Sequence, residues 1–211
     1  MKRSISTIRM VVLLLVLLAA ACTSPAQKDV HLNRGVELSQ EGRWEEAIAE
    51  FDQVLALDPN YALAYYNRGR AYYDQGEYQQ AIADFTEAIH IDPNYAGAYN
   101  NRGNAHAYLG EYEEAITDYS EATRIDPNYA KAYCNRGNAH AYLVEYEQAI
   151  ADLDKAVEVD PHNPLGYYAR AVVLLKLGRS AEAESDAVKV CELAPEGEFC
   201  QELMETMELT H

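Results

Sequence analysis

The sequence predicts an all-α chain of five stacked helical hairpins closed by a capping helix. Three observations carry that prediction. First, the tripeptide Asn-Arg-Gly occurs at 33–35, 67–69, 101–103 and 135–137, each copy starting 34 residues after the one before. Second, each repeat carries an apolar stripe at helical spacing. Third, glycine and proline recur at fixed places within it. A fixed period of roughly 20–50 residues marks repeat architectures, where a unit buries its apolar face only against its neighbours.

Registered on the glycines, the units run 28–61, 62–95, 96–129, 130–163 and 164–197. Position 8 is Gly35, Gly69, Gly103, Gly137 and Ala171, and position 20 is Ala47, Ala81, Ala115, Ala149 and Ala183. Such small residues let two helices of one unit approach closely. Position 24 holds Phe51, Phe85, Tyr119 and Leu153, and position 27 holds Val54, Ala88, Ala122, Ala156 and Val190. With position 20 they form an i, i+4, i+7 apolar face on the second helix. Proline at position 32 (Pro59, Pro93, Pro127, Pro161, Pro195) stops that helix, because it cannot continue the hydrogen-bond ladder. Position 15 turns the first helix into the second with Gly42, Gly76, Gly110 and Gly178. The fourth unit has Val144 there, and a left-handed turn would strain a β-branched residue. After the last unit, Phe199, Leu203 and Met207 share one face of a capping helix and tail at 198–211.

This unit resembles the tetratricopeptide repeat, a helix–turn–helix that stacks into a right-handed superhelix. The resemblance spans nearly the whole chain after residue 27. It implies that first helices line a concave groove, with positions 2, 5, 6, 9, 12 and 13 facing it. Position 6 is Asn33, Asn67, Asn101 and Asn135, and position 9 is Arg70, Asn104 and Asn138. Around them stand Tyr66, Tyr73, Asn100, Tyr108, Tyr142 and Tyr168. A carboxamide both donates and accepts, so it can grip a peptide bond whatever the side chain. The four position-6 residues look like the asparagine ladder of the superhelix in protein O-GlcNAc transferases, which holds an extended peptide backbone. Nothing resembles that enzyme's catalytic half. Solvated polar positions copied by repeat duplication are the plain alternative. The chaperone-type carboxylate clamp fits poorly. It needs lysines at position 5, where this chain has Leu32, Tyr66, Asn100, Cys134 and Tyr168, leaving Arg70 and Lys131 to meet a carboxylate.

Arginine fills position 7, where leucine is usual in the family. A buried guanidinium needs an acid, and position 23 supplies one in every unit. The expected pairs are Arg34–Glu50, Arg68–Asp84, Arg102–Asp118, Arg136–Asp152 and Arg170–Asp186. The role is structural. The tripeptide thus divides: asparagine faces the groove without core contact, arginine stabilises and glycine allows close approach.

The N-terminus reads as a targeting segment. Lys2, Arg3 and Arg9 precede the apolar run "MVVLLLVLLAAA", which is short for a bilayer span. Ala19-Ala20-Ala21-Cys22 resembles the lipobox of bacterial lipoproteins, departing from it at Ala19 where leucine is usual. That implies a signal peptide at 1–21, a lipid on Cys22, a polar linker at 22–27, and a place in the bacterial envelope. Thr23 after the cysteine implies the outer membrane, facing the periplasm. Ordinary secretion after an Ala-x-Ala site is the alternative. In an exported protein disulfides persist. Cys191 and Cys200 lie almost symmetrically about the turn at Pro195 and Glu196, so a bond between them is expected, with Cys134 free.

The formal charge is −17, and becomes −20 without the three cations of the leader. A phosphate backbone would be repelled, so nucleic acid is excluded as a partner; any charged partner is expected to be basic. No Ser/Cys–His–acid set, phosphate loop or HExxH motif is present. His106 and His140 take a core position with no acid near them in the pattern, so they are read as hydrogen-bonded core residues, with no metal. No cofactor or small-molecule substrate is expected. The function read from the sequence is a non-enzymatic, lipid-anchored adaptor that binds an extended segment or helix of another envelope protein. A self-associating spacer is the alternative, and an enzyme or cofactor carrier is more distant.

Overall fold

The computed structural model describes residues 25–208, which fold into eleven α-helices and no strand. They pair as α1 (Pro25–Gln40) with α2 (Trp44–Leu57), α3 (Ala62–Asp74) with α4 (Tyr78–Ile91), and α5 (Ala96–Tyr108) with α6 (Tyr112–Ile125). Then follow α7 (Ala130–Tyr142) with α8 (Tyr146–Val159), α9 (Pro164–Lys176) with α10 (Ser180–Leu193), and α11 (Glu198–Glu208) as the cap. The leader at 1–21 and Cys22 lie outside the described residues. Of the stretch expected as a linker at 22–27, residues 22–24 lie outside the described residues, and α1 starts at Pro25. Proline suits the first turn of a helix, and nothing after it breaks one.

Each helix packs mainly against its partner in the unit, then against the first helix of the next unit. First helices of successive units also touch one another. They therefore lie on the inside of the curve. The core is the apolar face of the second helices: Ala47, Phe51, Val54, Phe85, Tyr119 and Leu153 are all buried. Position 8 meets position 24. A Cβ on Gly103 would stand 2.8 Å from the Tyr119 ring, and one on Gly137 would stand 2.8 Å from Leu153. In the fifth unit Ala171 replaces the glycine, and position 24 shrinks to Ala187. The volume moved from one helix to the other.

The turns within units share one geometry. Gly42, Gly76, Gly110 and Gly178 all have positive φ, and so does Val144, at 63°. In the third unit Glu111 N–H donates to His106 C=O at 2.9 Å; in the fourth, Glu145 N–H donates to His140 C=O at 2.9 Å. This is the six-to-one bond of a Schellman turn. Valine is therefore held in a conformation that its side chain opposes, with its side chain exposed. Between units the Asp-Pro-Asn turn folds on itself. Asp92 Oδ1 accepts from Asn94 N–H, and Asp126 Oδ1 accepts from Asn128 N–H, each at 3.0 Å. Cys191 and Cys200 are joined by a disulfide that ties α10 to α11, and Leu203 is buried against the fifth unit. Among the described residues no helix is long and apolar enough to cross a membrane.

Candidate functional site

Behind the concave face runs the arginine row. Arg102 Nε donates to Asp118 Oδ2 at 2.9 Å, and its Nη2 donates to Oδ1 at 2.6 Å. Arg68–Asp84, Arg136–Asp152 and Arg170–Asp186 repeat the same fork. Planar guanidinium matches carboxylate bidentately, so the pairing fixes geometry as well as charge. The bonds to Asp118 push the Arg102 guanidinium above its ordinary value against the pull of burial. A tyrosine ring supports each head group; Arg136 lies 5.4 Å from the Tyr133 ring centre.

The fifth expected pair does not form. Arg34 instead reaches Glu37 at 3.3 Å, and Glu50 bonds to His31 Nδ1 at 2.6 Å. His31 stands where the other units have the supporting tyrosine. There it captures the acid, and Arg34 is left in solvent. The third arm of the other arginines crosses a junction that the sequence reading missed. Nη1 of Arg68, Arg102, Arg136 and Arg170 donates to Asp52, Thr86, Ser120 and Asp154 of the preceding unit. These acceptors all sit at position 25, and their shared chemistry was the available signal. Among the described residues no unit precedes Arg34.

The two core histidines do have acids beside them, contrary to expectation. His106 Nδ1 bonds to Glu111 at 2.6 Å and His140 Nδ1 bonds to Glu145 at 2.7 Å. The Schellman turn brings position 16 back over the end of the first helix.

The asparagines do not stand free of the fold. Asn100 is fully buried. Its Nδ2 donates to Asn101 Oδ1, and Asn101 Nδ2 donates to Tyr66 Oη, both at 3.1 Å. Asn135 Nδ2 donates to Asn100 Oδ1 at 3.0 Å and to Asn104 Oδ1 at 2.9 Å, and Tyr119 Oη donates to the same Asn104 oxygen at 2.8 Å. Burial pushes the Tyr119 hydroxyl well above its usual range, so it remains a donor. With the Tyr66 hydroxyl at its end, this chain of amides bridges three units. It overturns the expectation that Asn101 and Asn135 serve binding alone: a carboxamide beside a buried carboxamide satisfies it first. Asn33, Asn67 and Asn138 make no side-chain hydrogen bond among the described residues. Asn33 is exposed on the first unit, away from the depressions described next.

Two adjoining depressions lie on the concave face between the third and fifth units. One, of about 450 Å³, is lined by Asn104, Tyr108, Tyr112, Asn135, Asn138 and Tyr142. The second, of about 490 Å³, shares Asn135, Asn138 and Tyr142, and adds Leu165, Val172 and Phe199. Tyr108 and Tyr142 are 66% and 69% exposed, a large outlay of aromatic surface. Each stacks on the first residue of the preceding second helix: Tyr78–Tyr108 with ring centres 5.0 Å apart and Tyr112–Tyr142 at 4.7 Å. Tyr78 and Tyr112 escaped the sequence reading because it drew the groove from first helices only. Tyr73 packs edge-on against Tyr108, and Tyr66 packs on Tyr95. Tyr168 lies 4.5 Å from the Phe199 ring, so the cap closes this end of the groove. Arg70 and Asn67 line a smaller hollow near the first unit. Burial pushes the Cys134 thiol up to about 11, leaving it protonated and unreactive near neutral pH.

This is the geometry of a helical-repeat scaffold for protein interaction. The family profile described as TPR repeat matches residues 35–76, 69–110 and 103–143; those described as tetratricopeptide repeat match 130–163 and 153–185. The chain belongs to the tetratricopeptide repeat family. No curated protein sequence matches it. Among solved structures it is similar to the thermophilic TPR protein TTC0263 of Thermus thermophilus, at 26% identity and TM-score 0.70, over 86% of this chain and 99% of that one. MamA shares the fold at 24% identity and TM-score 0.71, covering 82% of this chain and 94% of that one. The first TPR of Spaghetti, solved with the HSP90 peptide SRMEEVD bound, is 29% identical with TM-score 0.54, over 56% of this chain and 93% of that one.

Proposed function

We propose that the chain is an exported adaptor, anchored to a membrane by a lipid on Cys22, that holds an extended segment of an envelope protein in its concave groove. One observation carries the binding half: a continuous groove edged by Asn138, Tyr108 and Tyr142, with exposed amide and aromatic surface side by side. Aromatic rings with adaptable amides make contact surface at low entropic cost. A peptide-bound relative in the same repeat family supports that reading. The anchoring half rests on the Ala19-Ala20-Ala21-Cys22 sequence.

The test uses the full chain in a bacterial envelope. Asn138→Ala with Tyr142→Ala is expected to leave the melting curve within about 1 kcal/mol of the parent, since both are exposed, yet to abolish recovery of the cross-linked partner. Unchanged recovery would refute groove binding. Cys22→Ser is expected to move the protein from the membrane fraction to the soluble fraction. Retention in the membrane would refute the anchor.

A further inference from the structure

The charge of the groove runs against the charge of the chain. Of the fourteen lysines and arginines beyond Arg9, eleven lie within ion-pair distance of a carboxylate of the same chain. The three left over among the described residues are Arg70, Lys131 and Lys176. All three sit on first helices, and each lines a concave-side depression. None is at position 5, where the chaperone-type groove places its lysines. The acids show the complementary pattern. The sequence holds 34, yet none lines either of the two large depressions.

Where acids outnumber cations this heavily, an unpaired lysine is not the default, since any neighbouring carboxylate would capture it. Asp74 shares the hollow of Arg70 and Asp160 that of Lys131, both beyond ion-pair distance, whereas no acid lines the depression of Lys176. Second helices, with their glutamates, stand outward of the first by roughly 10 Å, the usual interaxial distance. At physiological ionic strength that is about one Debye length, so the acidic exterior is largely screened from the groove. The local charge then decides what docks.

Lys176, at the end of α9, lines the second depression, whose other lining residues are largely apolar. Leu165 is exposed there, Val172 and Phe199 are half-buried, and the disulfide beside Phe199 fixes the cap that presents that ring. We infer that the groove takes an extended peptide segment with acidic residues flanking a large apolar side chain. The apolar side chain enters between Leu165, Val172 and Phe199, and a flanking carboxylate meets Lys176. A second carboxylate, further along the segment, meets Lys131 in the adjoining hollow, which shares Cys134 and Leu165 with this one. The inference rests on the groove reading above, and narrows it from any extended segment to one chemistry. It also reverses the expectation, drawn from net charge, of a basic partner.

The experiment is an unbiased peptide library displayed on phage and selected on the chain from residue 23 onward. Enriched peptides are then labelled with fluorescein and measured by polarisation. Enrichment of acids around one aromatic or branched aliphatic residue is expected. Lys176→Glu should weaken those peptides about tenfold, and Leu165→Ser about fivefold, without altering the circular dichroism spectrum. Replacing the acid that faces Lys176 by lysine should restore binding to Lys176→Glu, a rescue that a merely structural lysine would not give. Basic or purely polar peptides that still depend on Asn138 and Tyr142 would overturn this inference and leave the groove reading standing. Peptides insensitive to Asn138 and Tyr142, or no enrichment at all, would overturn both.

Discussion

The middle of the solenoid and its two ends solve the same packing problem with different parts. In the middle, every arginine at position 7 has three things: an acid in its own unit, a tyrosine beneath it and an acceptor in the unit before. In the first unit Arg34 lacks the position-23 acid, which His31 has taken, and the tyrosine beneath it, and among the described residues it has no preceding unit; it reaches only the exposed Glu37. In the fifth unit Arg170 is complete, but position 25, which would serve a following unit, is the exposed Val188. Position 17, aromatic in every earlier unit, is Ser180 there. The acceptor exists only where a following unit uses it, and of the position-17 rings Tyr78 and Tyr112 stack on a ring of the next unit. That difference teaches that these residues belong to junctions rather than to units.

The largest effect should come from breaking a junction in the middle. Arg102→Ala leaves Asp118, 5% exposed at its side chain, without its partner, and should cost about 2–4 kcal/mol in urea denaturation. Arg34→Ala, by contrast, should stay within about 0.5 kcal/mol of the parent. Equal losses at the two sites would dissolve the distinction between middle and end. Removing the disulfide with Cys191→Ser and Cys200→Ser should cost about 2–3 kcal/mol by freeing a short closed loop in the unfolded chain. Hydrogen exchange should speed up in α9 to α11 and not in α5 to α8; a uniform loss of protection would mean that the cap supports the whole stack.

A subtler test transplants the end into the middle. Gly137→Ala puts a Cβ 2.8 Å from Leu153 and should cost about 1–3 kcal/mol. Combined with Leu153→Ala, it reproduces the Ala171–Ala187 arrangement, and the pair should cost less than the two changes summed. Strict additivity in that cycle would show that positions 8 and 24 are not exchanging volume. The smallest effect is at Val144. Val144→Gly relieves a left-handed β-branched residue at some entropic expense, and should raise the melting temperature by about 1–4 °C. A fall would mean that the fourth turn draws packing from its valine.

Much of this was legible beforehand because a period makes each residue its own control. Position 8, position 20, the prolines and the position-15 turns could be read directly, and four of the five arginine pairs followed from finding an acid wherever there was an arginine. What escaped was contact between units. Spacing within one repeat places Arg102 near Asp118, but Thr86 reaches it only through the superhelical offset between hairpins. The same holds for Tyr112 over Tyr142 and for Asn135 on Asn100. Asn100 was hidden for another reason. A single buried amide replaces Tyr66 and Cys134 of the adjacent units, and one substitution in a repeat looks like noise until its partners are seen.

The acceptors across the four junctions have a further consequence. From first to last they are Asp52, Thr86, Ser120 and Asp154: charged, neutral, neutral, charged. Seen as a spring, the solenoid has coils of two kinds. To the apolar packing that all junctions share, its outer coils add an attraction that dissolved salt weakens, and its inner coils add hydroxyl bonds that salt barely touches. Raising ionic strength therefore softens the ends before the centre, and the groove keeps its curvature where the two large depressions meet. A partner would then feel a firm middle between compliant arms, and the stiffness of those arms would follow the composition of the surrounding fluid.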